Sequence, residues 1–122
     1  MLSASCHCGA VQIKVMQKID TLTECNCSVC RRYGAQWAYC SSNTVEIVCS
    51  PETLVHYSWA QQAIAFCHCK HCGCLTHYES VDKSDEYRIA VNARMLEPTA
   101  IKDLVIRFFD GADTEQYLTK KT

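Results

Sequence analysis

Seven of the chain's 11 cysteines fall into three tight groups: Cys6 and Cys8, then Cys25, Cys27 and Cys30, then Cys69 and Cys72. Thiols at C-x-C and C-x-x-C spacing are soft ligands, and the metal they suit best in tetrahedral geometry is zinc. The seven divide as four plus three. Four thiolates close a tetrahedral site, whereas three leave one position open for chemistry.

The division follows from where each group sits. In extended backbone, residues i and i+2 point to one face, so Cys6 and Cys8 present both sulfurs together. Cys69 and Cys72 lie on a knuckle whose Gly73 allows the tight turn. Joining these two pairs closes a loop of some sixty residues, and the energy of metal binding becomes folding energy. This site reads as structural. Cys25, Cys27 and Cys30 lie within six residues and can hold a metal from one side. Asn26 and Ser28 are poor ligands, so the fourth position is open to water or to a substrate thiol, which zinc would hold as the nucleophilic thiolate. The competing reading is a second closed site, completed by one of the remaining cysteines, Cys40, Cys49, Cys67 or Cys74. A disulfide framework fits less well, because the cysteine count is odd and no secretion signal is visible. A redox dithiol at Cys69 and Cys72 leaves the C-x-C pairs unexplained.

Positioning these groups falls to short strands. Alternating or β-rich segments occur at residues 11–15, 44–48, 54–59, 63–66, 75–78, 87–91 and 105–109, the last stopped by Asp110-Gly111. Turn signals fall at residues 41–43, 50–52 and 82–85. A short helix is expected after Cys30 and another over residues 92–96. The fold class is therefore mostly β, a small zinc-stapled antiparallel sheet domain.

With 122 residues there is room for one small domain, for which a metal staple is physically useful. No apolar run approaches the ~18 residues of a membrane span, and no signal peptide is visible. The expected location is cytoplasmic, where thiols stay reduced. Net charge is −1, and loading two zinc ions on seven thiolates makes it more negative. That balance argues against a general nucleic-acid binder, which carries a basic face.

The succession Cys6-His7-Cys8-Gly9-Ala10-Val11, Cys25-Asn26-Cys27-Ser28-Val29-Cys30-Arg31-Arg32, Phe66, Cys69-Lys70-His71-Cys72-Gly73 and Asn92-Ala93-Arg94-Met95-Leu96 resembles the glutathione-dependent formaldehyde-activating enzyme family, which includes centromere protein V. The resemblance spans about residues 5 to 110, and on it residues 1–122 are expected to be one such domain. It implies a β-tent fold, with two or three antiparallel sheets around zinc. It implies two zinc ions: a structural one on Cys6, Cys8, Cys69 and Cys72, and a catalytic one on Cys25, Cys27 and Cys30. It also implies a carbon–sulfur lyase activity on a thiol/aldehyde adduct, joining glutathione and formaldehyde as S-(hydroxymethyl)glutathione. Arg31 and Arg32 are the candidate partners for the carboxylates of such a substrate. Two features depart from the family pattern. Cys67 and Cys74 flank the second knuckle, so Cys67 is a rival to Cys69 or a ligand of the other metal. The tail after Phe109 is short, which threatens part of a substrate pocket.

Simpler readings apply elsewhere. His7, His68 and His71 alternate with ligands and point away from the metal. His56 and His77 are sheet residues. Trp37, Tyr39, Trp59 and Phe66 are core rather than a binding platform, and Cys40 and Cys49 are small core residues. Asn92 is a turn cap and Arg94 a surface charge. A non-catalytic zinc-stapled binding module, and a metal carrier or redox sensor, are the alternative functions.

Overall fold

Alternation of side chains along two central strands organises this protein into two faces with different contents. The computed structural model describes residues 1–59 and 63–119. The described strands are β1 (Leu2–Ser5), β2 (Gln12–Val15), β3 (Thr21–Cys25), β4 (Trp37–Ser41), β5 (Val45–Val48), β6 (Leu54–Tyr57), β7 (Ile64–Cys69), β8 (Leu75–Ser80), β9 (Arg88–Asn92), β10 (Val105–Phe109) and β11 (Tyr117–Leu118). Two one-turn helices, α1 (Cys30–Tyr33) and α2 (Pro98–Ile101), complete the regular structure with short 3₁₀ turns. The protein is mostly β, as expected.

The strands form a three-stranded sheet in the order β1-β2-β5 and an eight-stranded sheet in the order β11-β10-β3-β4-β9-β8-β7-β6. All pairings are antiparallel except one: β10 runs parallel to β3, with Phe109 beside Cys25. The sheets are otherwise antiparallel, as expected. A parallel neighbour needs a long crossover, and the whole chain between residues 25 and 105 supplies it.

On the eight-stranded sheet, Ala38, Cys40, Ile89 and Val91 face the three-stranded sheet and pack with Ala4, Ile13 and Val15 in the larger core. Cys6 and Cys69 belong to the same core. The alternate residues Trp37 and Ala90 point to the opposite face, where they cluster with Phe66, Tyr78 and Cys30. The two thiol groups are thus built on opposite faces of one sheet. Helix α1 follows Cys30 as the sequence suggests. The short helix expected over residues 92–96 is a 3₁₀ turn over Ala93–Met95. Asn92 caps it, accepting from the Arg94 N–H at 3.2 Å while its amide donates to the Leu75 carbonyl at 2.9 Å.

Candidate metal and substrate site

Cys6 and Cys8 follow β1, while Cys69 ends β7 and Cys72 sits in the turn beyond it. Their four sulfurs lie within 4.8 Å of one another. Cys8 Sγ is 3.7 Å from Cys6 Sγ and 3.6 Å from Cys69 Sγ, across 61 residues of chain. The Val11 N–H donates to Cys6 Sγ at 3.3 Å. Backbone N–H groups of Cys74 and then Cys8 pull the Cys72 thiol down to about 5. The knuckle turns at Gly73, whose φ of +78° is a left-handed conformation that other residues adopt at a cost. Its N–H donates to the Cys69 carbonyl at 2.8 Å. Amide donors aimed at sulfur stabilise thiolate and favour metal ligation.

The second group is local. Cys25 is the last residue of β3 and Cys30 the first of α1, with Cys27 on the loop between. The three sulfurs lie within 4.8 Å of one another, and among the described residues no other cysteine joins them. The Cys27 N–H donates to Cys25 Sγ at 3.5 Å, and the Cys30 N–H to Cys27 Sγ at 3.4 Å. The thiol of Cys30, donating to Cys25, lowers Cys25 to about 6, with the N–H groups of Cys27 and Gly111 adding to the effect. The same sharing pushes Cys30 up.

A clamp from the end of the chain holds this loop, and nothing in the sequence pointed to it. The Asn26 amide donates to Asp110 Oδ1 at 3.0 Å and its carbonyl oxygen accepts from the Ala112 N–H at 3.0 Å. Asp110 Oδ2 accepts from the N–H and hydroxyl of Thr114 at 3.1 and 2.9 Å. Gly111 lies against the thiols so closely that an added Cβ would stand 2.7 Å from Cys25 Sγ. Asp110-Gly111 is therefore more than a strand stop. The tail beyond Phe109 folds back through β11, stacking Tyr117 edge-on to Phe109 at 5.1 Å between ring centroids.

The sulfurs open into a cavity of about 300 Å³, walled by Trp37, Tyr39, Trp59, Ile64, Phe66, Tyr78, Arg88, Phe109 and Gly111. The aromatic residues read as plain core have a second role. Trp37 and Phe66 are fully buried, whereas Trp59 is 44% exposed, and all of them line the cavity. The walls interlock, with Trp37 edge-on to Tyr78 at 4.9 Å and Phe66 edge-on to Tyr78 at 5.5 Å. Arg88, which the sequence presented only as a strand residue, is the cationic group of this wall. Its guanidinium lies 4.2 Å from the centre of the Tyr39 ring.

Arg31 and Arg32 are both exposed, and neither lines this cavity. Arg32 donates to the Ser28 carbonyl at 2.7 Å and lines an adjoining groove with Ser28, Val29, Tyr33, Tyr57 and Trp59. Groove and cavity share Val29 and Trp59. His7, His68 and His71 join neither thiol group. Cys40 is buried core and Cys49 half-buried against it. Cys67 and Cys74 belong to neither thiol group among the described residues. Cys74 packs beside Cys72 without entering the four-sulfur group, and Cys67 is fully buried among other neighbours.

Residues 1–109 match the family model for glutathione-dependent formaldehyde-activating enzymes. The chain belongs to this family. The match ends at Phe109, so the Asp110–Gly111 clamp of this family member stands just beyond it. A crystal structure of a Rhodobacter sphaeroides protein, solved as a structural-genomics target, is similar, with 28% sequence identity and a TM-score of 0.68. The similarity covers 86% of this chain and 99% of that one. No curated protein matches significantly.

Proposed function

We propose that the protein is a zinc-dependent enzyme of carbon–sulfur lyase type, joining a small thiol such as glutathione to a small aldehyde such as formaldehyde, or cleaving their adduct. The observation that carries the reading is the group of three thiols, without a fourth among the described residues, at the head of an aromatic cavity. The donor set fits the metal: three clustered sulfurs, two of them accepting backbone N–H bonds, suit zinc and disfavour hard cations. Bound there, zinc would supply a Lewis-acidic position that keeps a substrate thiol as thiolate at neutral pH. Cys6, Cys8, Cys69 and Cys72 would hold a second, structural zinc.

The chain's own residues do the rest. Trp37, Phe66 and Tyr78 exclude water from the cavity, which protects an aldehyde from hydration and strengthens charge interactions. Arg88 presents a positive charge at the wall, suited to the carbonyl oxygen or to a substrate carboxylate. In the forward direction the sulfur–carbon bond forms as the carbonyl oxygen takes a proton, yielding the hydroxymethyl adduct. The groove lined by Arg32, Tyr33 and Tyr57 extends from the cavity and suits the peptide part of a longer thiol, with Arg32 meeting a carboxylate and Arg31 adding charge at its rim. We read residues 1–122 as a single domain and place it in the reducing cytoplasm. No described helix is long and apolar enough to cross a membrane.

The test is spectroscopic. Cobalt-substituted protein is titrated with glutathione. A new thiolate-to-cobalt charge-transfer signal is expected in wild type and absent in Cys27→Ser. If the cobalt spectrum already shows two closed four-sulfur sites and glutathione leaves it unchanged, the non-catalytic scaffold is the better reading.

A further inference from the structure

On the opposite face of the eight-stranded sheet from the aromatic cavity, three metal-binding side chains of different chemistry meet. We propose that His56, Cys67 and Glu79 form a third metal site, taking one divalent transition-metal ion such as zinc. The strand register brings them together: His56 on β6 lies opposite Cys67 on β7, and Cys67 lies opposite His77 on β8, two residues before Glu79. Residues paired across strands, and residues two apart along one, share a face. Cys67 and Phe66 are neighbours in β7, so the face that carries Cys67 is the one the cavity does not use.

The distances fit. The ligand atoms of the three residues all lie within 4.8 Å of one another. Tetrahedral zinc with bonds of about 2.0–2.3 Å places its ligands about 3.3–3.8 Å apart. One sulfur, one imidazole nitrogen and one carboxylate oxygen form a borderline donor set that selects zinc-like ions over magnesium or calcium. The site has an entry path, because His56 is exposed and Glu79 partly so, while Cys67 forms the floor and is fully buried. Glu79 already attracts a cation: the Lys83 ammonium lies 2.8 Å from its Oε1, half exposed. An ion bound here competes with Lys83 for that carboxylate. Beside the trio, His77 is fully buried, with Nδ1 2.9 Å from Thr76 Oγ1 and Nε2 without a hydrogen-bond partner among the described residues. Polar capacity on this face is therefore unspent. Neither cysteine group shares a residue with the trio.

Cobalt(II) is the probe, added to the full-length, zinc-loaded protein and followed by absorption and metal analysis. Wild type is expected to take up one equivalent more than His56→Ala, with a weak charge-transfer band of a single thiolate. His56→Ala, a change at an exposed residue, should weaken that equivalent by at least about 10-fold, as loss of a ligand costs at least as much as loss of a ligand's supporting partner. Lys83→Met should tighten it by removing the competing cation, an effect that a purely structural role for the trio would not produce. Cys67→Ala should abolish the band. Equal cobalt uptake and affinity in wild type, His56→Ala and Lys83→Met would overturn the proposal and leave the trio as ordinary sheet residues.

Discussion

Gly111→Ala isolates the role of the C-terminal clamp. The backbone of Gly111 lies outside the left-handed region, so glycine is not required there by φ. It is required by space. A methyl group at this position would meet Cys25 Sγ at 2.7 Å and Cys27 Cβ at 3.2 Å, the first about 0.7 Å inside the 3.4 Å at which ordinary contact begins. Cys25 cannot yield freely, because it sits on β3, whose parallel partner β10 leads directly into Gly111. Overpacking of this kind costs roughly 1–3 kcal/mol. The lost freedom of the unfolded chain returns about 0.4–1 kcal/mol. Taking the middle of each range, the net expectation is a destabilisation of about 1.3 kcal/mol, or a fall in Tm of about 5 °C for a chain of this size. The displaced sulfur should also loosen metal at Cys25, Cys27 and Cys30 while sparing the four-sulfur group. Thermal melts and metal analysis after brief chelation test both parts. A variant with unchanged Tm and full retention of the labile metal would refute the reasoning from steric contact.

Three further outcomes are expected. Cys72→Ser should cost far more thermal stability than Cys30→Ser, since the four-sulfur group joins segments 61 residues apart whereas the other is local; equal losses in calorimetry would contradict this. Asn92→Ala should cost about 1–3 kcal/mol in urea unfolding, because it removes a buried amide that serves both the Leu75 carbonyl and the Arg94 N–H. The Asn26 amide, followed by the Thr114 N–H and hydroxyl, holds the Asp110 carboxyl below its usual value. A depressed carboxylate stabilises the fold above the ordinary aspartate range, near 3.8, and loses that contribution as the pH falls through its folded value. The gap in Tm between wild type and Asp110→Asn should therefore be full at pH 6 and shrink below pH 4, and a constant gap would count against the clamp.

What the sequence by itself determined was the local chemistry. C-x-C and C-x-x-C spacing brings sulfurs together whatever the rest of the chain does, and Gly73 after the second pair marks a left-handed turn that the structure contains. Strands with one wet face, such as β2 and β5, were legible because their alternation survives in the residues: Ile13 and Val15 are buried and Lys14 is not. β4 escaped notice because it is covered on both faces, so Trp37, Ala38 and Cys40 are all buried and no period of two remains. β1, β3 and β11 were too short or too mixed to announce themselves, and β3 owes its place to β10, more than eighty residues away.

Tertiary structure alone sorted the neighbours. Cys67 and Cys69 stand two residues apart on β7, opposite His56 and Leu54 of β6; Cys69, at the strand's end, reaches the four-sulfur group, while Cys67 meets His56 and Glu79. Composition cannot distinguish the two cysteines, because the neighbours each one meets depend on its place along the strand and on the strands paired beside it. Arg31 and Arg32 stand next to the thiols in sequence, yet helix α1 turns them outward, and Arg88 reaches the cavity from a strand 58 residues beyond Cys30. Gly111 and Asp110 reach Cys25 and Asn26 only because a parallel pairing returns the end of the chain to its beginning. Each cysteine pair or trio is set by covalent spacing, which is local, whereas the meeting of Cys6 and Cys8 with Cys69 and Cys72 spans 61 residues of chain. The walls around them are set by strand order and register, which depend on contacts between residues far apart in the chain.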